Sequence, residues 1–275
     1  MPELPEVETS RKGIAPYCEN QKIKKAIVRI DKLRWPIDKT LPAKLKGKNI
    51  VSVKRRGKYL LLELESKAAG EKSLLIHLGM SGSLRVIASD LPAQKHDHFD
   101  LVLSNGKSIR FNDPRRFGCL LWNEQGEAHQ LLSKLGPEPL TDEFDTDYLY
   151  QACRKRKAAI KVVIMDSKVV VGVGNIYAQE ALFMSGILPS RAANRISKAR
   201  IAVLVENIKI VLEKAIIAGG SSLKDFIKAD GKPGYFQHTF QVYGRAGEAC
   251  SRCGDILKQK QLGQRTSTFC PSCQS

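Results

Sequence analysis

The chain has 275 residues, 43% of them hydrophobic, enough to bury a sizeable core and to build two domains plus a small module. Its 45 Lys and Arg against 28 Asp and Glu give a formal charge of +17, a surplus that favours a polyanionic partner through counterion release and makes nucleic acid the leading candidate. No apolar run approaches the roughly 18 residues of a spanning helix, no strongly amphipathic basic helix points to a membrane surface, and the acidic, proline-containing start lacks the basic flank and apolar stretch of a secretion signal; a cytoplasmic protein with no membrane partner is expected.

In chain order, Pro5 to about Tyr17 reads as a helix, with Pro5 at a permitted first-turn position and Glu6 and Glu8 complementing the helix N-terminus. The stretch to about Asn123 reads as mostly strand: Ile23 to Ile30, Ile50 to Lys54, Tyr59 to Glu65, Leu74 to Leu78 and Leu84 to Ile87. Asn105-Gly106 lies between His98–Leu103 and Ser108–Phe111 and predicts a tight hairpin. So many strands joined by turns predict a sandwich or barrel.

Leu135-Gly136-Pro137-Glu138-Pro139-Leu140 then reads as an interdomain linker, because its prolines stop both helix and ladder. Beyond it helices are expected from Lys157 to Asp166 and from Ile176 to Met184, flanking Val171-Gly172-Val173-Gly174-Asn175. Glycines in that turn let backbone amides approach a phosphate, although a Gly-x-Gly turn between helices is a weak signal alone. Ile201, Leu204, Val205, Ile208, Val211, Leu212 and Ala215 form the core stripe of a last helix, which Gly219-Gly220 stops.

The most specific chemical signal is Cys250-x-x-Cys253 followed, after sixteen intervening residues, by Cys270-x-x-Cys273. Two tight knuckles at this spacing match a four-thiolate zinc ribbon, with disulfides or free thiols as the alternatives; four protein ligands leave no open position for water, so the metal is expected to be structural. Cys18, Cys119 and Cys153 are scattered singly and read as small buried residues. Lys258, Lys260, Gln264 and Arg265 lie between the knuckles and offer donors to a phosphate backbone.

Two more basic clusters, Lys54-Arg55-Arg56-Gly57-Lys58 and Arg154-Lys155-Arg156-Lys157, fall in different predicted domains, which suggests a groove rather than one sticky patch. In Asp113-Pro114-Arg115-Arg116-Phe117-Gly118 a phenylalanine sits beside arginines on a predicted loop, the apolar and cationic parts of a duplex wedge. His77-Leu78-Gly79-Met80-Ser81-Gly82 offers a methionine on a glycine-flanked turn. By residue type alone Phe117 and Met80 are ordinary packing residues, and Glu3, Glu6 and Glu8 are an acidic helix start. Composition and spacing thus lead to a zinc-ribbon nucleic-acid binder, not yet to an enzyme.

The opening Pro2-Glu3-Leu4-Pro5-Glu6-Val7-Glu8-Thr9 resembles that of the formamidopyrimidine-DNA glycosylases, bacterial enzymes that remove oxidised purines. The resemblance covers the whole chain, and the landmarks follow in the family's order: Arg55–Tyr59, His77–Gly82, Asp113–Gly118, Val171–Asn175, Asp230-Gly231-Lys232-Pro233-Gly234-Tyr235 and the cysteines. It implies an α+β multidomain chain, with an N-terminal antiparallel β-sandwich catalytic domain over 1–134 that carries an N-terminal helix, a helical domain with a helix-two-turns-helix motif over 135–228, and a zinc-ribbon finger over 229–275.

The resemblance also implies a bifunctional glycosylase and abasic-site lyase acting as a monomer on double-stranded DNA containing oxidised purines, with one structural zinc ion and no organic cofactor. Pro2, freed of Met1, would be the Schiff-base nucleophile and Glu3 the proton donor and acceptor; Lys58 and Arg265 would contact phosphates and donate protons during β,δ-elimination. His77, Asn175 and Lys157 would contact DNA, Met80, Arg115 and Phe117 would fill the gap left by the extruded base, and Lys224 would belong to a base-capping loop. An endonuclease VIII-like glycosylase for oxidised pyrimidines is the nearest alternative. A non-catalytic zinc-ribbon protein is another, since charge and cysteines alone would suffice for it.

Overall fold

A computed structural model describes residues 2–65, 72–124, 129–221 and 240–275. These fall into two compact units, one made of residues 2–133 with 218–221 and the other of 134–217 with 240–275.

The first unit opens with helix α1 (Leu4–Cys18). Glu3 is its extended N-cap, and the helix starts where expected because the Glu6 carboxylate reaches back to accept the Glu3 N–H at 2.8 Å. Strand β1 (Ile23–Val28) and the short helix α2 (Leu41–Leu45) follow. Seven strands complete the unit: β2 (Ile50–Arg56), β3 (Tyr59–Leu64), β4 (Lys72–His77), β5 (Ser83–Ala88), β6 (Asp97–Leu103), β7 (Lys107–Asn112) and β8 (Cys119–Asn123). With β1 they form two antiparallel four-stranded sheets, ordered β1-β6-β7-β5 and β2-β3-β4-β8.

Of the sandwich or barrel that the strand density predicts, the sandwich is the one present. Leu60, Leu62, Leu74 and Ile76 from one sheet share a core with Phe99, Leu101, Ile109 and Phe111 from the other, and Val7, Ile14 and Cys18 of α1 join it. Burial of this apolar surface, at about 25 cal/mol per Å², is the main term holding the sheets together. The β6–β7 turn differs from a two-residue hairpin: Ser104–Gly106 form the loop, Gly106 alone takes a positive φ of 78°, and the Asn105 side chain accepts the Lys107 N–H.

The short α3 (Gln130–Ser133) ends the first stretch of the first unit, and the second unit contains α4 (Thr146–Arg154), α5 (Ile160–Met165), α6 (Asn175–Met184) and the long α7 (Lys198–Ile217). The stripe from Ile201 to Ala215 is buried as its spacing predicts. The expected helix from Lys157 is shortened to begin at Ile160, because Ala159 forms an isolated antiparallel bridge with Ala192 and Ala158 accepts the Ala193 N–H. Backbone committed to that bridge cannot enter the helix. The 135–140 segment is not a free tether either: Gly136 donates to Ser167 O and Pro137 accepts from Val171, so it packs along the 167–171 turn.

The same unit carries the hairpin β9 (Lys258–Leu262) and β10 (Arg265–Phe269), which turns at Gly263-Gln264, both at positive φ. Cys250, Cys270, Leu257 and Val242 pack on Phe183 of α6 in a small core of their own.

Candidate active site, phosphate cleft and metal centre

In the first unit Pro2 and Glu3 are buried at the head of α1. Glu6, with no exposed surface, organises this end of the chain. One carboxylate oxygen accepts the Glu3 N–H, and the other accepts both the backbone N–H and the hydroxyl of Ser221 at 2.8 Å each. A carboxylate committed to these neighbours holds the backbone directly after Pro2 against residues 220–221. Two residues on, Glu8 bonds the guanidiniums of Arg11 and Arg55; burial pushes its carboxyl up, but the two arginines outweigh burial and hold it below the usual range.

Lys58 sits in the two-residue turn between β2 and β3. His77, the last residue of β4, lies across from Tyr59 with ring centroids 4.8 Å apart. Its Nδ1 accepts the Gly79 N–H at 2.9 Å, which places the remaining proton of the neutral ring on Nε2. Burial, reinforced by the Lys58 and Arg34 cations, pushes the imidazole down to about 4. At neutral pH His77 is thus an uncharged donor.

Met80 is half-buried, whereas Arg115 and Phe117 are exposed; Phe117 leaves 45% of its surface open and carries the Arg115 guanidinium 5.1 Å from its ring centre. A phenylalanine held this far out of the core is not an ordinary packing residue. Lys224 and Asp230–Tyr235 lie outside the described residues.

In the second unit Asn175 is the first residue of α6, behind the N-cap Gly174. The almost fully buried Lys161 ammonium donates to Asn175 Oδ1 at 2.6 Å, to Ser267 Oγ at 2.6 Å and to Thr266 O at 3.1 Å. With Oδ1 so engaged, the amide NH₂ of Asn175 is the end left for a ligand acceptor. Gln179 adds a second tie between helix and hairpin, donating to Asn175 O and accepting the Thr268 N–H. Asn175 and the exposed Arg265 consequently line one cleft, together with Gln179, Tyr243, Gln259 and Thr268. The wall bearing Tyr243 is fixed by buried Glu180, whose carboxylate accepts the N–H groups of Gln241, Val242 and Tyr243. Lys157 is exposed between α4 and α5.

The four cysteine sulfurs lie within 4.8 Å of one another, with Cys250–Cys273 at 3.9 Å and Cys253–Cys270 at 3.5 Å. Thiolates about 2.3 Å from a tetrahedral zinc stand roughly 3.8 Å apart, so the donor set fits that ion. The N–H groups of Arg252 and Cys273 point at Cys250 and Cys270 sulfur, the knuckle contacts that favour thiolate.

Comparison with known proteins decides the family. The formamidopyrimidine-DNA glycosylase N-terminal domain matches residues 1–120 and the H2TH domain of the same enzymes matches 135–227. This chain belongs to the formamidopyrimidine-DNA glycosylase family. The zinc finger found in FPG and IleRS matches 247–275, and the four cysteines within it form a structural zinc site. The formamidopyrimidine-DNA glycosylase of Alcanivorax borkumensis is 55% identical over 274 residues, covering 100% of both chains. Among solved structures, the MutM (Fpg) protein of Thermus thermophilus matches with a TM-score of 0.88 at 36% identity, over 99% of this chain and 98% of that one. Lactococcus lactis Fpg in complex with DNA containing an abasic site matches with 0.88 at 34%, over 99% of each chain.

Within this glycosylase fold, Glu6, Lys161, Gln179 and Glu180 escaped the sequence reading as contributors to the site. For Lys161 and Glu180 a signal was available. A lone lysine within Ile160–Met165 and a lone acid within the apolar Ile176–Met184 are charges on helices otherwise bound for the core, and such charges survive burial only with dedicated partners.

Proposed function

We propose that the protein is a bifunctional DNA glycosylase and abasic-site lyase of base excision repair that acts on oxidised purines, such as 8-oxoguanine and formamidopyrimidines, in double-stranded DNA. The observation that carries the reading is the buried Pro2-Glu3 pair, held in place by the hydrogen bonds of Glu6, at the start of a chain of this family. Once Met1 is removed, Pro2 becomes a secondary amine. Its nitrogen forms a bond to C1′ of the damaged nucleoside as the C1′–N bond to the base breaks, and the base leaves with that electron pair and a proton. Protonation of the ring oxygen, assigned to Glu3, opens the sugar and leaves an iminium between Pro2 and C1′. The iminium draws electrons from the C2′–H bond, Glu3 takes the proton, and the 3′ phosphate departs by β-elimination, followed by the 5′ phosphate in the δ step.

A tertiary iminium has no N–H to lose, so it stays cationic and acts as an electron sink at any pH. Lysine would first need its pKa lowered, whereas an α-amine starts near 8 in generic peptides. Lys58, neutral His77, Asn175 and Arg265 are assigned to the phosphates flanking the extruded nucleotide, with Lys58 and Arg265 also donating protons during elimination. Lys157 is assigned to the backbone beyond, and Lys224 to a loop over the base. Met80, Arg115 and Phe117 are assigned to the space that the base vacates, with Arg115 facing the orphaned partner. Extrusion costs a few kcal/mol of stacking and pairing, which inserted side chains offset. A monomer working in the cytoplasm completes the reading; among the described residues no helix is long and apolar enough to cross a membrane.

The substrate class is tested by comparing kcat/KM on matched duplexes, one with 8-oxoguanine opposite cytosine and one with an oxidised pyrimidine. Faster excision of the purine is expected. A faster pyrimidine reaction would move the protein to the endonuclease VIII-like alternative, and binding without excision of either would make it a non-catalytic DNA binder.

A further inference from the structure

The two turns that carry Met80, Arg115 and Phe117 are locked to each other by a polar pair with almost no exposure. Ser81 is 2% exposed and Asp113 is fully buried. The Ser81 hydroxyl donates to Asp113 Oδ1 at 2.6 Å and accepts the Arg115 N–H at 3.1 Å. The other oxygen of Asp113 accepts the Gly118 N–H at 2.8 Å, so its carboxylate spans the loop from Arg115, through Ser81, to the residue after Phe117. The Asp113 backbone is held in turn, donating to His96 O and accepting from His98 Nε2 at 3.0 Å each.

The backbones press together at the same place. A β-carbon on Gly79 would sit 2.3 Å from the Phe117 carbonyl carbon and 2.4 Å from Gly118 N, and Gly79 has a φ of 66° that only glycine adopts freely. Arg116 stands at a φ of 57°, a left-handed conformation costing on the order of 1 kcal/mol that persists only where surroundings impose it. The turn closed by Arg116 N–H on Asp113 O, with Pro114 and Arg115 at its centre, supplies that constraint.

We propose that Ser81 and Asp113 are positioning residues for base extrusion from a duplex: they join the Met80 turn and the Arg115–Phe117 loop into one preassembled wedge, so that three side chains enter a duplex as a unit. The inference rests on the assignment of Met80, Arg115 and Phe117 to the vacated space. Without the Ser81 hydroxyl the two turns keep their backbone contact but lose the bond that fixes Arg115 relative to Met80. The entropy of ordering the side chains then falls on the extrusion step. Neither residue touches DNA in this account.

The test is a ratio: excision of 8-oxoguanine opposite cytosine in a duplex, divided by incision of an abasic site in a single-stranded oligonucleotide, which has no base to extrude and no partner strand to fill against. Ser81→Ala is expected to lower this ratio about tenfold, the effect of losing one buried hydrogen bond at that step. Asp113→Asn, which keeps the volume but leaves one acceptor oxygen for the two donors Ser81 O–H and Gly118 N–H, should shift it in the same direction. Phe117→Ala serves as the control for the underlying assignment. If Phe117→Ala leaves the ratio unchanged, the wedge assignment itself fails. If Phe117→Ala lowers it while Ser81→Ala and Asp113→Asn do not, or reduce both activities equally, the positioning role is overturned.

Discussion

Glu6 and His77 occupy short motifs that sequence alone can place, but their states follow from neighbours far away in the chain. Ser221, 215 residues from Glu6, makes Glu6 a clamp as well as a helix-start acid. No spacing rule reaches that far. His77 is neutral because burial outweighs its affinity for a proton, with two nearby cations adding to the effect, and burial likewise lowers His98, whose Nε2 bonds Asp113 O. Both folded values lie below the unfolded one, so as pH falls the unfolded chain binds these protons first. Stability should be unaffected above about pH 6.5, fall progressively below it, and level off for His77 near pH 4. Melting temperature measured from pH 7.5 to 5, above the range where the carboxylates of Glu8, Asp97 and Asp100 are protonated, checks this. A flat profile there would mean that the imidazoles are solvated.

The strand-rich first half, the amphipathic stripe of α7 and the paired cysteines were legible because each repeats at a fixed period or spacing. Elements set by tertiary contact were not. Strand β8 was missed because Cys119–Asn123 becomes a strand only by pairing with β4. Helix α4 is not evident in the sequence because its nine residues are too short for a clear apolar period, and its start is fixed by the Asp145 cap, which accepts the Tyr148 N–H. The zinc finger follows its spacing, yet its anchorage by Lys161 of α5 and Gln179 of α6 is set by tertiary contact, and only the lone charge of Lys161 on an apolar helix hints at it in the sequence. Removing zinc should therefore leave the helical far-ultraviolet signal nearly intact while the β9–β10 turn, and Arg265 with it, loses its fixed geometry. DNA affinity is expected to fall in verified metal-free protein and recover when zinc is restored. Undiminished binding without metal would confine the finger to a packing role.

For the whole molecule the formal charge of +17 predicts affinity for DNA that weakens steeply with salt. Under the proposed phosphate assignments this effect is divided unevenly, since Lys58 and Arg265 would contribute cations whereas His77 and Asn175 would contribute neutral donors. Replacing either cation by alanine should reduce the slope of log affinity against log salt by about 0.9, while replacing Asn175 should weaken binding at all salt concentrations with the slope unchanged. A slope change on losing Asn175 would contradict its assignment as a neutral contact.

The proposed nucleophile is the amine of Pro2. Mass spectrometry of the protein incubated with borohydride and an 8-oxoguanine:cytosine duplex should find a covalent complex with the DNA attached to the processed N-terminal peptide. The same chain with Met1 retained should give none, because its Pro2 nitrogen is an amide. No adduct with an intact Pro2 terminus, or an adduct mapped to a lysine, would contradict the account.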